Sequence, residues 1–105
     1  MSSVNIAVPE IKNQIIDFRI TPNPLTTLTT LSFQLSSPNN TSIEIRNIEG
    51  RLIKKLAPNN FNIGLNEIVW NATNNAGSKV DAGIYFITIL SDNFSETKKV
   101  VVLRN

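Results

Sequence analysis

Thr30-Leu31-Ser32-Phe33-Gln34-Leu35-Ser36 alternates without a break. Leu31, Phe33 and Leu35 fall on one side, and Thr30, Ser32, Gln34 and Ser36 on the other. A period of two belongs to a strand with one face on a core and the other in water. Upstream, Ile16, Phe18 and Ile20 alternate with Asp17 and Arg19 in the same way. That strand ends at Thr21-Pro22-Asn23-Pro24, where two prolines fix φ and remove two backbone donors. Residues 1–14 show no sustained period and contain Pro9, so they read as a linker or N-terminal arm.

Downstream the pattern repeats. Ser37-Pro38-Asn39-Asn40 turns the chain, and Ile43 and Ile45 alternate with Glu44 and Arg46. Ile48-Glu49-Gly50-Arg51 reads as a tight hairpin with Gly50 at positive φ. Leu52, Ile53 and Leu56 make the return strand, followed by a polar loop around Pro58-Asn59-Asn60. Asn66, Ile68 and Trp70 then share a face. Asn71 to Ser78 is a long turn, expected to rest on left-handed asparagines and Gly77. Gly83 to Leu90 is apolar on both faces, which predicts a central strand covered on each side. Ser91-Asp92-Asn93 turns, and Glu96 to Leu103 closes the chain. Seven strands with turns every eight to twelve residues predict one all-β domain over residues 15–105, an antiparallel immunoglobulin-like sandwich of two sheets.

The chain has 105 residues, enough for one core, and 41% are hydrophobic. No run approaches the ~20 apolar residues of a membrane-spanning helix. The start Met1-Ser2-Ser3-Val4-Asn5 has neither a basic cluster nor an apolar segment of signal-peptide type. It fits a cytosolic protein or a piece of a longer one. The net charge is +2, and the lysine pairs Lys54-Lys55 and Lys98-Lys99 lie in predicted strands, where neighbours face opposite ways. They read as solvated edge charges that discourage unwanted pairing, not as a nucleic-acid surface. Cysteine and histidine are absent, which removes disulfides, the usual general base and the commonest metal ligand.

Three features in fixed order carry a resemblance: Pro22-Asn23-Pro24 after the first strand, Gly50-Arg51 at a hairpin, and the stretch Trp70-Asn71-Ala72-Thr73-Asn74-Asn75-Ala76-Gly77-Ser78-Lys79-Val80-Asp81-Ala82-Gly83-Ile84-Tyr85-Phe86. From about Ile15 to Asn105 the chain resembles the C-terminal sorting domains of the type IX secretion system of Bacteroidetes. It is also similar to the Ig-like domain of flagellar hook-capping proteins. The resemblance implies a non-catalytic domain at the end of a secreted enzyme or adhesin. An outer-membrane export machinery would recognise it, and a sortase would cut within or before Met1–Gln14 and anchor the cargo at the cell surface of a Gram-negative bacterium. Thr97-Lys98-Lys99-Val100-Val101-Val102-Leu103-Arg104-Asn105 fits the basic-then-aliphatic last strand of that family. Leu25 stands where many members place Phe or Ala, and the Asn-rich loop after Trp70 is closer to the hook-capping subset.

Recognition is expected to fall on Pro22, Asn23, Pro24, Gly50, Arg51, Lys98, Lys99 and Arg104. Trp70, Gly77, Gly83 and Tyr85 are expected to be structural: Trp70 as core, Tyr85 with its ring inside and its hydroxyl on a nearby carbonyl. The loop Asn71–Asp81 offers one carboxylate, Asp81, with neutral Asn and Thr oxygens, and Ala76 stands where a calcium loop of EF-hand type needs glycine. The Asn-x-Ser/Thr triplets at Asn39, Asn40, Asn71 and Asn93 carry no weight in so Asn-rich a chain. No cofactor is called for. The partners expected are proteins: the export machinery, neighbouring domains of a larger protein, or a second copy pairing through edge strands. Two alternatives stay open, a structural Ig-like assembly module and a carbohydrate-binding accessory module; the latter needs exposed coplanar aromatics.

Overall fold

Why an alternating chain closes into two layers follows from its burial. Leu31, Phe33 and Leu35 are buried while Gln34 is exposed, so this strand must lay one face on something apolar. The computed structural model describes residues 15–35, 39–61, 63–91 and 95–103. Seven strands run through them: β1 (Ile15–Thr21), β2 (Thr29–Leu35), β3 (Asn39–Asn47), β4 (Leu52–Phe61), β5 (Gly64–Trp70), β6 (Gly83–Ser91) and β7 (Ser95–Val102). The linker at 1–14, Arg104 and the turn at Asp92–Asn93 lie outside the described residues.

The strands form a three-stranded sheet, β1-β2-β5, and a four-stranded sheet, β4-β3-β6-β7, with antiparallel neighbours throughout. Between them lie Phe18, Leu31, Phe33 and Trp70 from the first sheet and Ile43, Ile45, Tyr85, Ile87, Ile89 and Val100 from the second, all buried. Each such side chain contributes about 1.5–3 kcal/mol by leaving water. Phe33 meets Phe61 edge to face, ring centroids 5.2 Å apart. The seven strands in two antiparallel sheets match the Ig-like sandwich expected from the sequence.

Four local expectations are corrected. Pro58-Asn59-Asn60 is not a loop: β4 runs through to Phe61, with Asn60 opposite Asn40 and Asn59 opposite Thr41. The register slips by one residue between Leu56 and Asn59, so Pro58 sits at a bulge on an edge strand, where a missing donor is tolerated. Asn39 and Asn40 likewise belong to β3 instead of the preceding turn. β6 is central but covered on one face only: Tyr85, Ile87 and Ile89 are buried, whereas Ile84 is 38% exposed. A two-layer sandwich has no third layer to cover the outer face of β6, apolar as it is. Finally, Ile16 does not stay in phase with Phe18 and Ile20. β1 carries an extra residue between Ile16 and Arg19, with Asp17 at φ +62°, so Ile16 pairs with Gln34 and Ile20 with Leu31.

Beyond β1 the chain changes sheets. Leu25 makes an isolated parallel bridge to Val102, its N–H donating to the Val101 carbonyl at 2.9 Å and its carbonyl accepting from Leu103 at 2.8 Å. The Pro22–Pro24 turn is therefore the crossing point from one layer to the other.

Candidate recognition surface

Strand order sends three connections and the end of β7 to one end of the sandwich. They are the β1–β2 turn with Pro22-Asn23-Pro24, the β3–β4 hairpin with Gly50-Arg51, and the β5–β6 loop. Motifs spread along the sequence thus share one end. Among them the structure joins two directly. Asn23 Nδ2 donates to the Lys99 carbonyl at 2.9 Å, and its Oδ1 accepts from the Val101 N–H at 3.0 Å. One amide occupies the outer edge of β7 as a neighbouring strand would. Pro22, Asn23 and Pro24 stay exposed, and buried Thr29 holds the turn by donating its hydroxyl to the Pro22 carbonyl at 2.7 Å.

Gly50-Arg51 lies at the same end but not beside that turn. The hairpin belongs to β3 and β4, and two strand spacings of about 4.8 Å separate β3 from β7. Asn47 builds it: its Oδ1 accepts from Glu49 N–H and Arg51 N–H, both at 2.9 Å, while its N–H donates to the Arg51 carbonyl at 3.0 Å. Gly50, at φ +84°, donates to the Asn47 carbonyl at 2.9 Å. Arg46 adds a bond to the Gly50 carbonyl at 3.0 Å and an ion pair to Glu44. The Arg51 side chain points into water.

The same device recurs in the β5–β6 loop. Asn74 Oδ1 accepts from Ala76 and Ser78, Asn74 N–H donates to the Ser78 carbonyl, and Gly77 at φ +88° donates to the Asn74 carbonyl. The turn thus rests on Gly77 and on asparagine side chains. The left-handed residues are Ala72, at φ +61°, and Gly77, so the expectation of left-handed asparagines is corrected. Asn works here through its acceptor oxygen, which leaves its own backbone in an ordinary region. Asn75 ties the loop to β4, donating its N–H to the Ile53 carbonyl and accepting from Lys55 N–H. Both edges of the four-stranded sheet therefore carry an asparagine clasp, Asn23 on β7 and Asn75 on β4.

Inside the same end, Trp70 is fully buried and donates its indole N–H to the Thr73 carbonyl at 2.9 Å. Tyr85 is buried and donates its hydroxyl to the Asp81 carbonyl at 2.7 Å. Burial, and after it the charge of Asp81, raises the Tyr85 pKa above the usual value. Gly83, at φ +153°, opens β6.

Lys98 and Lys99 point to opposite faces of β7, and both are exposed. Lys98 pairs across the ladder with inward-facing Ile87 and reaches the open seam between the sheets, 5.9 Å from the Phe18 ring centroid and 3.9 Å from Glu96. Lys99 pairs with Phe86 on the outer face. Among the described residues no three His, Cys, Asp or Glu side chains gather as metal ligands, and no helix is long and apolar enough to cross a membrane. Sequence reasoning missed Asn47, Asn74 and Asn75. The repeated spacing Asn-x-x-Gly at 47–50 and 74–77 was the signal for the first two.

A family model described as the secretion system C-terminal sorting domain matches residues 19–103. No curated protein sequence matches the chain. Among solved structures, the dimeric latent form of PorU from Porphyromonas gingivalis superposes with a TM-score of 0.68 at 25% identity, over 97% of this chain and 10% of PorU. PorZ, a surface component of the type IX secretion system of the same bacterium, gives 0.60 at 22% identity, over 83% of this chain and 11% of PorZ. FlgD from Xanthomonas campestris, a hook-capping protein, gives 0.57 at 19% identity, over 86% of this chain and 67% of that one. The PorZ and FlgD likenesses are of fold alone. The chain spans about a tenth of PorU and of PorZ.

Proposed function

Because the chain belongs to the family of secretion system C-terminal sorting domains, we propose that the end of the sandwich carrying the Pro22–Pro24 turn is the surface its export machinery reads. A sorting domain is not an enzyme. It targets cargo for secretion through the type IX system, to the outer-membrane surface of a Gram-negative Bacteroidetes cell. Recognition of a folded surface needs motifs held rigidly in one place, because ordering loose segments on binding costs affinity.

One observation carries the proposal: the two-point bond of Asn23 to Lys99 and Val101, which locks the turn onto the closing strand. Pro22 and Pro24 present the turn, Arg51 presents a charge from the hairpin, and Lys99 lies on the outer face. Arg104, the remaining basic residue expected in recognition, lies outside the described residues. Lys98, at the seam, stands apart from it. Cleavage ahead of the domain and attachment of the cargo to a surface anchor complete the reading.

The test fuses residues 10–105 to a periplasmic reporter in a Bacteroidetes host with this export system. Surface display of the reporter is expected. Retention of the unmutated fusion in the periplasm overturns the sorting role for this chain. Arg51→Glu, at an exposed side chain with no hydrogen bond or ion pair among the described residues, is expected to lower display without changing Tm; undiminished display of that variant overturns the placement of the recognised surface.

A further inference from the structure

The seam between β1 and β7 is where the two sheets part, and it forms a groove of about 430 Å3 lined by Phe18, Arg19, Ile20, Thr21, Asn23, Lys98 and Lys99. Its floor is apolar, since Phe18 and Ile20 are core residues. The outer edge of β7 is only half covered. Asn23 and Leu25 take the Lys99 carbonyl, the Val101 N–H and carbonyl, and the Leu103 N–H. Backbone groups alternate sides along a strand, so the N–H and C=O of Thr97 and the N–H of Lys99 face the same outer edge. Among the described residues these three have no partner.

The charges beside that bare stretch are mostly positive. Arg19 is held by Asp17 at 2.8 Å, and Lys98 is loosely held by Glu96 at 3.9 Å, while Lys99 has no acidic partner among the described residues. An extended backbone meets successive outward N–H and C=O groups along a strand edge, and carboxylates match this rim. We propose that the groove takes an extended acidic segment of a partner polypeptide, added to the four-stranded sheet as a fifth strand beside residues 95–99. This rests on the sorting-domain reading and names the chemistry of the partner. Asn23 then sets the register by ending the free edge at Lys99.

The 105-residue chain, isotopically labelled, is titrated with three capped seven-residue peptides. One alternates valine and glutamate, the second replaces glutamate by lysine, and the third is the acidic peptide N-methylated at alternate residues. Binding of the first alone is expected, with amide shifts confined to Ser95–Lys99 and Phe18–Ile20 and slowed hydrogen exchange at Thr97 and Lys99. Lys98→Glu with Lys99→Glu is expected to weaken it about tenfold or more at low salt. Thr97→Pro deletes an outward N–H at a position where an edge strand tolerates proline, and is expected to weaken it too. Binding of the lysine peptide as tightly, shifts along β4 or β5 instead, or unchanged exchange at Thr97 under saturation overturns the proposal. The lysine double variant is also carried on the reporter fusion. Full display of that fusion overturns the groove as a second site for the machinery, beside the Pro22–Pro24 end, and leaves the sorting role intact, whereas loss of display in the unmutated fusion strikes the sorting role itself.

Discussion

The ring of Trp70 on the three-stranded sheet meets the ring of Tyr85 on the four-stranded sheet edge to face, with centroids 5.8 Å apart and planes at 66°. Each hands its polar tip to the same loop, Trp70 to the Thr73 carbonyl near its start and Tyr85 to the Asp81 carbonyl near its end. The β5–β6 loop is thus pinned at both roots from within the core. Packing of the two sheets and the shape of the candidate surface depend on the same two side chains.

Trp70→Phe keeps an aromatic ring but leaves the Thr73 carbonyl without its donor in a buried site. The expected loss is about 1–3 kcal/mol beyond the change in ring size. Tyr85→Phe removes a part-buried bond and is expected to cost about 0.5–1.5 kcal/mol. Urea denaturation of both variants measures the order; a Tyr85→Phe cost equal to or above that of Trp70→Phe contradicts the placement of the buried donor.

The raised pKa of Tyr85 gives a dependence on pH with a definite sign. A phenol whose pKa is higher in the folded state is favoured there in its neutral form. Its contribution is fully present below the unfolded value of about 10 and is lost as pH rises through the folded value. Stability is therefore expected to fall above about pH 10, and Tyr85→Phe is expected to lessen that fall. Equal slopes for the two proteins in denaturation between pH 9 and pH 11 refute the coupling.

Much of this fold could be read from alternation alone, because burial on one face imposes a period of two. Leu31, Phe33 and Leu35 show it directly. Departures came where local chemistry overrides the period. The extra residue beside Asp17 shifts β1 by one, and nothing in Ile16-Asp17-Phe18 announces it. Pro58 reads as a strand breaker, yet an edge strand has no second neighbour to miss its N–H. At the candidate surface, the turn motifs were legible as residue types. The clasp of Asn23 on β7 was not, since it joins positions 76 and 78 residues apart. Only the packing of the sheets brings them together.

Gly50 and Gly77 adopt positive φ with no atom within 4 Å of where a Cβ would stand. Substitution by alanine meets no clash, so its cost is conformational, about 1–2 kcal/mol at either site. Gly50→Asn and Gly77→Asn are expected to recover part of that loss, because asparagine tolerates the left-handed region better. Thermal unfolding of the four variants tests it; alanine variants as stable as the parent contradict the turn geometry.

Asparagine does two different jobs in this chain, and replacement by aspartate separates them. Asn47 and Asn74 use their side chains as acceptors, from two backbone N–H groups each, so a carboxylate can do the same work. Asn47→Asp and Asn74→Asp are expected to change stability by less than about 0.5 kcal/mol near neutral pH. Asn23 both accepts from Val101 and donates to Lys99. An aspartate there keeps the first bond, loses the second and sets a negative charge against a carbonyl oxygen 2.9 Å away. Exposed Lys98 and Lys99 offset little of this, since solvent-exposed pairs contribute about 0–1 kcal/mol. The folded pKa of the new carboxyl is therefore expected to lie above its unfolded value of about 3.9. Its protonated form donates again, so the penalty of Asn23→Asp should be largest near pH 7 and shrink as pH falls through the folded value. Denaturant midpoints of Asn23→Asp and Asn47→Asp, each taken against the parent at pH 3.5 and pH 7, read this out. A penalty at position 23 that stays constant with pH, or one matched at position 47, means that Asn23 does not clasp β7 through both ends of its amide.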